Sequence, residues 1–155
     1  MTRRGVSWLA GVVLAAALIT PSAMAAKPTM ERLNIDETLP DEFLTEACGV
    51  QVTTRAKGHI IIRTFDGEGP GPAELTTINI GLTASAGGNF YRFRDVGADL
   101  VRIEPDGTAI LMIIGQVPFE FMGVLKIDLE TGEAILEPQH SLEEELDQAC
   151  EVLTR

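Results

Sequence analysis

Residues 98–117, ADLVRIEPDGTAILMIIGQV, place the strongest constraint on how this chain can fold. Pro105, Asp106 and Gly107 form a turn signature, because proline favours the first corner of a turn and glycine tolerates the positive φ that closes it. The segments on both sides are apolar, and residues 109–114 run without a charge. The stretch therefore predicts a hairpin whose second strand is covered on both faces, as in the middle of a sheet.

The N-terminus has the order of a secretory signal peptide. Arg3 and Arg4 precede an uncharged run at residues 6–19, and the small-residue pattern Ala23-Met24-Ala25 follows. The run is shorter than the roughly 20 residues that span a bilayer, which favours a cleaved signal over a membrane anchor. We expect cleavage after Ala25, a secreted or extracytoplasmic location, and no stable membrane insertion after cleavage.

This cleavage divides the chain into a signal peptide at 1–25, an N-terminal arm at 26–39 and a single β-rich domain at 40–155. The arm is ambiguous between an extended segment and a frayed end. Without Arg3 and Arg4, ten basic residues face 23 acidic ones, a net charge of −13. This charge repels phosphates and anionic membrane surfaces, so it argues against nucleic acid and such surfaces as partners.

Two helices are predicted at the ends of the domain. Pro40 suits the first position of a short N-terminal helix, and Ser141 with Glu144 three residues later forms a capping-box pattern before a C-terminal helix. Cys48 and Cys150, the only cysteines, fall in these two helices. An even cysteine count in an exported chain indicates a disulfide, which would tie the two helices together.

Between the helices, short apolar segments alternate with turn residues, and neighbours joined by tight turns pair antiparallel. The fold class is therefore mainly β, an antiparallel meander of about eight strands. A meander of this size hides its edges by closing into a barrel or by curving strongly, and we expect one of these two forms. The predicted strands are 50–55, 59–65, 73–84, 90–96, 98–103, 109–114, 121–129 and 134–137.

One of these strands combines aromatic and basic residues. Alternation over residues 90–96 points Tyr91 and Phe93 to one face of the strand and Arg92 and Arg94 to the other. We expect the arginines to pair with surface acids such as Asp95 or Asp99.

No motif supplies a catalytic or metal centre. The only imidazole bases are His59 and His140, no GxSxG or CxxC occurs, and a zinc site needs three or four ligands. We predict no catalytic residue, no metal and no cofactor, and the chain leans away from an enzyme. A small barrel can be filled by its own side chains or can hold one small ligand, and the mostly large aliphatic inner residues favour a filled core. For a pocket, residue type and strand position nominate Tyr91, Arg63 and His59 as ligand-binding residues.

Residues 41–49, DEFLTEACG, and 93–97, FRDVG, resemble segments of small exported bacterial proteins of unknown function. This likeness covers most of the processed chain and implies no activity. The layout is also similar to lipocalin-like barrels, although the Gly-x-Trp signature is missing and the only tryptophan is Trp8. The sequence predicts a secreted, non-catalytic binding or interaction module for a small apolar ligand or a cell-surface protein. The alternatives are an extracellular enzyme using carboxylates or His59, and a structural exported protein.

Overall fold

The alternating segments assemble into one antiparallel sheet in a computed structural model, which describes residues 27–67 and 69–155. The predicted signal peptide lies outside the described residues. The strands are β1 (Thr29–Pro40), β2 (Thr53–Thr64), β3 (Gly71–Ala86), β4 (Asn89–Ile103), β5 (Ala109–Val117), β6 (Phe121–Asp128), β7 (Ala134–Leu136) and β8 (His140–Ser141). The helices are α1 (Glu42–Cys48) and α2 (Glu143–Leu153).

The predicted meander is confirmed, and the sheet is open. The strands follow one another in the order β1 to β7, and the short β8 pairs with β6. Across the described residues, β1 and β7 do not pair with each other, so the closed barrel that the sequence allowed is not formed. No described helix has the length and apolar character needed to cross a membrane.

The hairpin predicted at the centre of the chain is present between β4 and β5. The amide of Gly107 donates to the carbonyl of Glu104 at 3.0 Å, which closes the turn. Ile103 lies opposite Ala109 at the first pair of the ladder, and the register continues without a shift to Val96 and Gln116.

Two strand predictions need correction. Residues 53–64 form the single strand β2, so the predicted hairpin with a turn at 56–58 is wrong. Gly58 is needed inside the strand because a Cβ there would collide with the carbonyl oxygen of Asn79 on β3. Likewise, residues 89–103 form one strand rather than two. The ambiguous arm contains β1, which pairs along its whole length with β2.

The first helix begins and ends close to its predicted limits. The side chain of Asp41 accepts a hydrogen bond from the amide of Leu44 at 2.9 Å, and Gly49 ends the helix in the left-handed conformation. It follows β1, however, so it does not open the fold as an N-terminal helix.

The C-terminal helix is confirmed, but its predicted capping box is not formed. Ser141 Oγ accepts from the amide of Glu143 at 3.3 Å, one residue short of the Glu144 partner that the motif requires. The Cys48–Cys150 disulfide is present, with Cα atoms 4.9 Å apart, and it joins the end of α1 to α2.

The two faces of the sheet differ in what covers them. We call the face that carries Tyr91 and Phe93 the helix face, because these side chains pack against the core beneath the helices. The opposite face, which carries Arg92 and Arg94, is called the basic face. The core is small and lies at one end of the sheet; its buried members are Leu44, Val52, Ala84, Ala86, Phe119, Ala149 and Leu153.

Candidate functional site

A groove lies on the helix face, beyond the core. We call it the glycine trough. Its floor is Gly97 on β4 and Gly115 on β5, which lie directly opposite each other. Apolar side chains form its walls, and its volume is about 230 Å³. The walls include Ile78, Ile113 and Val117.

The glycines are required by the backbone of the sheet. A Cβ on Gly97 would collide with the carbonyl oxygen of Ile114, and one on Gly115 would collide with that of Val96. Gly115 also has a φ of 138°, which side chains of L-residues rarely adopt. Gly123 on β6 pairs with Gly115 and extends the glycine row to a third strand. The tight approach of these strands therefore removes side chains from one line across the sheet.

Directly opposite residues of antiparallel strands share a face, so this line can be followed in the other direction too. Ile78 on β3 lies opposite Gly97, Ile60 on β2 lies opposite Ile78, and Leu33 on β1 lies opposite Ile60. Leu33 keeps 39% of its surface exposed, and none of these side chains belongs to the core beneath the helices. The trough thus continues a row of apolar side chains that lie outside the core beneath the helices.

Two carboxylates lie in the trough, on either side of Gly97 along β4. Burial raises the pKa of the Asp95 carboxyl, and the charge of Asp99 raises it further. Burial also raises the pKa of Asp99. Neither carboxylate forms a hydrogen bond or an ion pair with another described side chain. The trough thus presents two partly desolvated acceptors beside an apolar surface.

The expected pairing of Arg92 or Arg94 with these acids is wrong. Side chains alternate between faces along a strand, so the arginines point to the basic face while Asp95 and Asp99 point to the helix face. Arg94 instead donates to the side-chain oxygen of Asn79 at 3.4 Å.

The three nominated ligand-binding residues are not brought together. His59 and Arg63 lie four residues apart on β2, on the basic face, where they pair with Asn79 and Leu75 of β3. Tyr91 lies on the helix face, stacked against Phe93 with ring centroids 6.3 Å apart. None of the three lines the glycine trough.

The trough residues were missed because glycines and carboxylates carry little information in an acidic, glycine-rich chain. A usable signal was present, since the turn at 104–107 fixes the register of the hairpin. Counting six residues from Ile103 and from Ala109 brings Gly97 opposite Gly115.

In the part of the chain that the structure describes, no group of three or more His, Cys, Asp or Glu side chains is placed to hold a metal ion. No protein-family model, no curated protein and no solved structure matches the chain.

Proposed function

We propose that the chain is an exported, disulfide-bonded protein that binds a small, mainly apolar molecule in the glycine trough without chemical conversion. The observation that carries this proposal is the trough itself, a concave apolar site with two acceptors on a face the helices leave open. Export is supported by the disulfide, because disulfides persist in oxidising compartments outside the cytoplasm.

The size of the trough limits the ligand. Apolar cavities of about 150 Å³ take benzene, whereas pockets for drug-sized molecules begin at about 300 Å³. A trough of about 230 Å³ lies between these values. It suits one ring or a short alkyl chain, and it is too small for a helix of a partner protein.

The carboxylates define the polar end of the ligand. Partly buried acceptors without a partner cost free energy, and a hydroxyl or amine beside Asp95 or Asp99 would recover part of it. A carboxylate ligand would instead meet two like charges. We therefore expect the trough to prefer apolar alcohols and amines over apolar acids.

Titration of the processed chain with hexylamine, hexanol and hexanoate, followed by amide chemical shifts in NMR spectra, tests the proposal. We expect shifts centred on Gly97 and Gly115 with the amine and the alcohol, and weaker shifts with hexanoate. The variant Ile78→Phe places a ring over Gly97 and should abolish these shifts, whereas Thr77→Phe adds the same ring to the other face of β3 and should not.

Two results would contradict this function. One is an absence of shifts at the trough with all three probes, combined with a clean apo mass in native mass spectrometry of protein secreted by its own host. The other is equal loss of binding in Ile78→Phe and Thr77→Phe. A protein partner covering the wider helix face would be detected as a complex by size-exclusion chromatography, and its binding would not depend on Ile78 alone.

An extracellular enzyme using carboxylates is the second candidate, because perturbed carboxyl pKa values in a cleft are typical of active sites. Asp95 and Asp99 supply this observation. However, four residues of an extended strand place the Cα atoms of Asp95 and Asp99 about 13 Å apart, so their side chains would have to lean towards each other to reach the separation of about 5–9.5 Å used by paired carboxylates in glycosidases. His59 lies on the opposite face and cannot join them. Hydrolase activity that is lost in Asp95→Asn and in Asp99→Asn would establish this alternative over the first.

A further inference from the structure

The basic residues of this acidic protein are concentrated on one face of the sheet. Of the ten that follow residue 26, eight lie on the basic face, whereas only two strand carboxylates, Asp36 and Asp128, share it. Acidic residues outnumber basic ones by 23 to 12 in the whole chain, so a face that served only for solvation would be mainly acidic. The eight are Arg32, Arg55, Lys57, Arg63, Arg92, Arg94, Arg102 and Lys126.

The centre of this face is a shallow groove around Gly81, which we call the Gly81 cradle. Lys57 on β2 and Arg94 on β4 lie directly opposite Gly81 on its two sides. Thr83 and Arg92 border the same groove, which has a volume of about 480 Å³. A bare stretch of backbone is thus flanked by an ammonium group, two guanidinium groups and a hydroxyl group.

The backbone does not require a glycine at this position. The only atom near a Cβ built on Gly81 is the carbonyl oxygen of Lys57 at 3.6 Å, an ordinary contact, and its φ is not positive. Gly58 and Gly97, by contrast, would collide with neighbouring carbonyl groups. A glycine inside a strand weakens it, and it often marks a place where a ligand approaches closely. At Gly81 the missing side chain leaves the floor of the cradle open.

Lys57 lies directly opposite Asp36 of β1 and attracts its carboxylate, whereas no described carboxylate forms an ion pair with Arg92 or Arg94. Arg94 is hydrogen-bonded to the neutral Asn79, and Arg92 lies over the ring of Phe90, 5.2 Å from its centroid. The ion pairs of this face are those of Arg55 with Asp36 and of Arg102 with Glu104. Lys57 and Arg94 lie on opposite sides of Gly81, on strands separated by β3, so an anion above Gly81 would be attracted by both.

Large exposed apolar side chains lie among these cations. Phe90 is 57% exposed and Met30 is 67% exposed, and both belong to the basic face, as do Ile114 and Met122. Cationic side chains mixed with exposed aromatic and aliphatic ones characterise surfaces that lie on anionic membranes. Protein interfaces are also rich in arginine, methionine and aromatic side chains, so an acidic protein partner is the competing occupant that the experiment must separate from a bilayer.

We propose that the basic face docks on the surface of an anionic phospholipid bilayer, with a lipid phosphate held between Lys57 and Arg94 over Gly81. The net charge of the chain opposes such a partner, but the basic face itself carries eight cations against two strand carboxylates, and the Debye length of about 8 Å weakens the repulsion from more distant acids. The docking surface is separate from the glycine trough, so this inference does not rest on the proposed function.

Co-sedimentation of the processed chain with vesicles tests the docking. We expect binding to vesicles of equal parts phosphatidylglycerol and phosphatidylcholine at low salt, and loss of binding with pure phosphatidylcholine or at high salt. Arg92→Glu with Arg94→Glu should weaken binding by about tenfold or more. The control Lys27→Glu with Arg155→Glu changes the net charge equally at positions outside the basic face and should have little effect.

The variant Gly81→Thr separates a binding role from a structural one. Threonine favours strands and its Cβ meets only an ordinary contact here, so we expect the thermal midpoint not to fall, while the side chain fills the cradle and should weaken vesicle binding. Unchanged vesicle binding in this variant would refute the cradle. Equal effects of the two charge-reversal pairs, or binding to polyglutamate without binding to anionic vesicles, would refute membrane docking.

Discussion

Removal of the Cys48–Cys150 disulfide, by the double variant Cys48→Ala with Cys150→Ala, should lower stability by an amount that follows from the topology. The two cysteines are 102 residues apart. Closing a loop of about 100 residues in the unfolded chain contributes about 4.7 kcal/mol in the chain-entropy relation, and measured losses are about 2–5 kcal/mol. We therefore expect a loss near the upper end of that range.

This loss can be converted into a shift of the thermal midpoint. Unfolding entropy is about 2.1 cal/mol/K per residue, or about 0.27 kcal/mol/K for about 130 residues, so a loss of 4 kcal/mol lowers the midpoint by about 15 °C. Thermal and urea unfolding followed by far-ultraviolet circular dichroism measure it. The urea m value should rise as well, because an unfolded chain without the cross-link exposes more surface.

Two comparisons make this prediction specific. The wild-type chain under reducing conditions should lose the same stability as the double variant, because both lack the closed loop. If instead the midpoint falls by less than about 3 °C and the m value stays constant, the bridge does not act through the unfolded chain. Faster amide exchange confined to α2 in that case would show that the bridge only holds this helix in place.

Three further predictions concern single residues. Gly97→Ala should cost about 1–3 kcal/mol in urea unfolding, because the Cβ meets the carbonyl group of Ile114, whereas Gly81→Ala should leave stability unchanged or raise it. Asp41→Ala removes the cap of α1 and the 2.6 Å bond from Thr54 Oγ1, and it should cost about 1–2 kcal/mol in the same assay. Asp36→Ala breaks only an exposed ion pair. If Asp41→Ala lowers the free energy of unfolding by less than Asp36→Ala does, the capping role of Asp41 is contradicted. Burial raises the pKa of the Asp95 carboxyl above its ordinary value of 3.8. Just above that pH the folded state therefore binds more protons than the unfolded state, and the free energy of unfolding falls as the pH rises through this range. Asp95→Asn should flatten this fall and raise the midpoint near neutral pH; a thermal midpoint with unchanged pH dependence would refute it.

The order of the strands could be predicted from the sequence because each turn has a local signature. The turn at Gly107 and the helix end at Gly49 were found for this reason, since both glycines have positive φ. Gly58 looks the same in the sequence, yet it lies inside a strand because the carbonyl group of Asn79 on the next strand comes too close for a side chain. The local sequence pattern contains no information about contacts between strands. It therefore predicts two strands where the structure has one.

The candidate site was only partly predictable for a related reason. The alternation that placed Phe93 on the inner face also places Asp95 and Gly97 there, and the hairpin register sets Gly97 against Gly115. The uncovered extent of the helix face depends on where the disulfide-linked helices lie, which is a long-range property. The charge of the basic face could not be predicted from the net charge of the chain, because the net charge does not show which face of the sheet each charged residue occupies.

The covalent loop begins at Cys48, so among the strands of residues 27–67 and 69–155 only β1 lies wholly outside it. This strand has a single neighbour, β2, and most of its residues are exposed. We therefore expect β1 to separate from β2 while the disulfide still restrains the strands that follow. Its outer amides should exchange with solvent first, and a free N-terminal strand of a second molecule could take the same place beside β2.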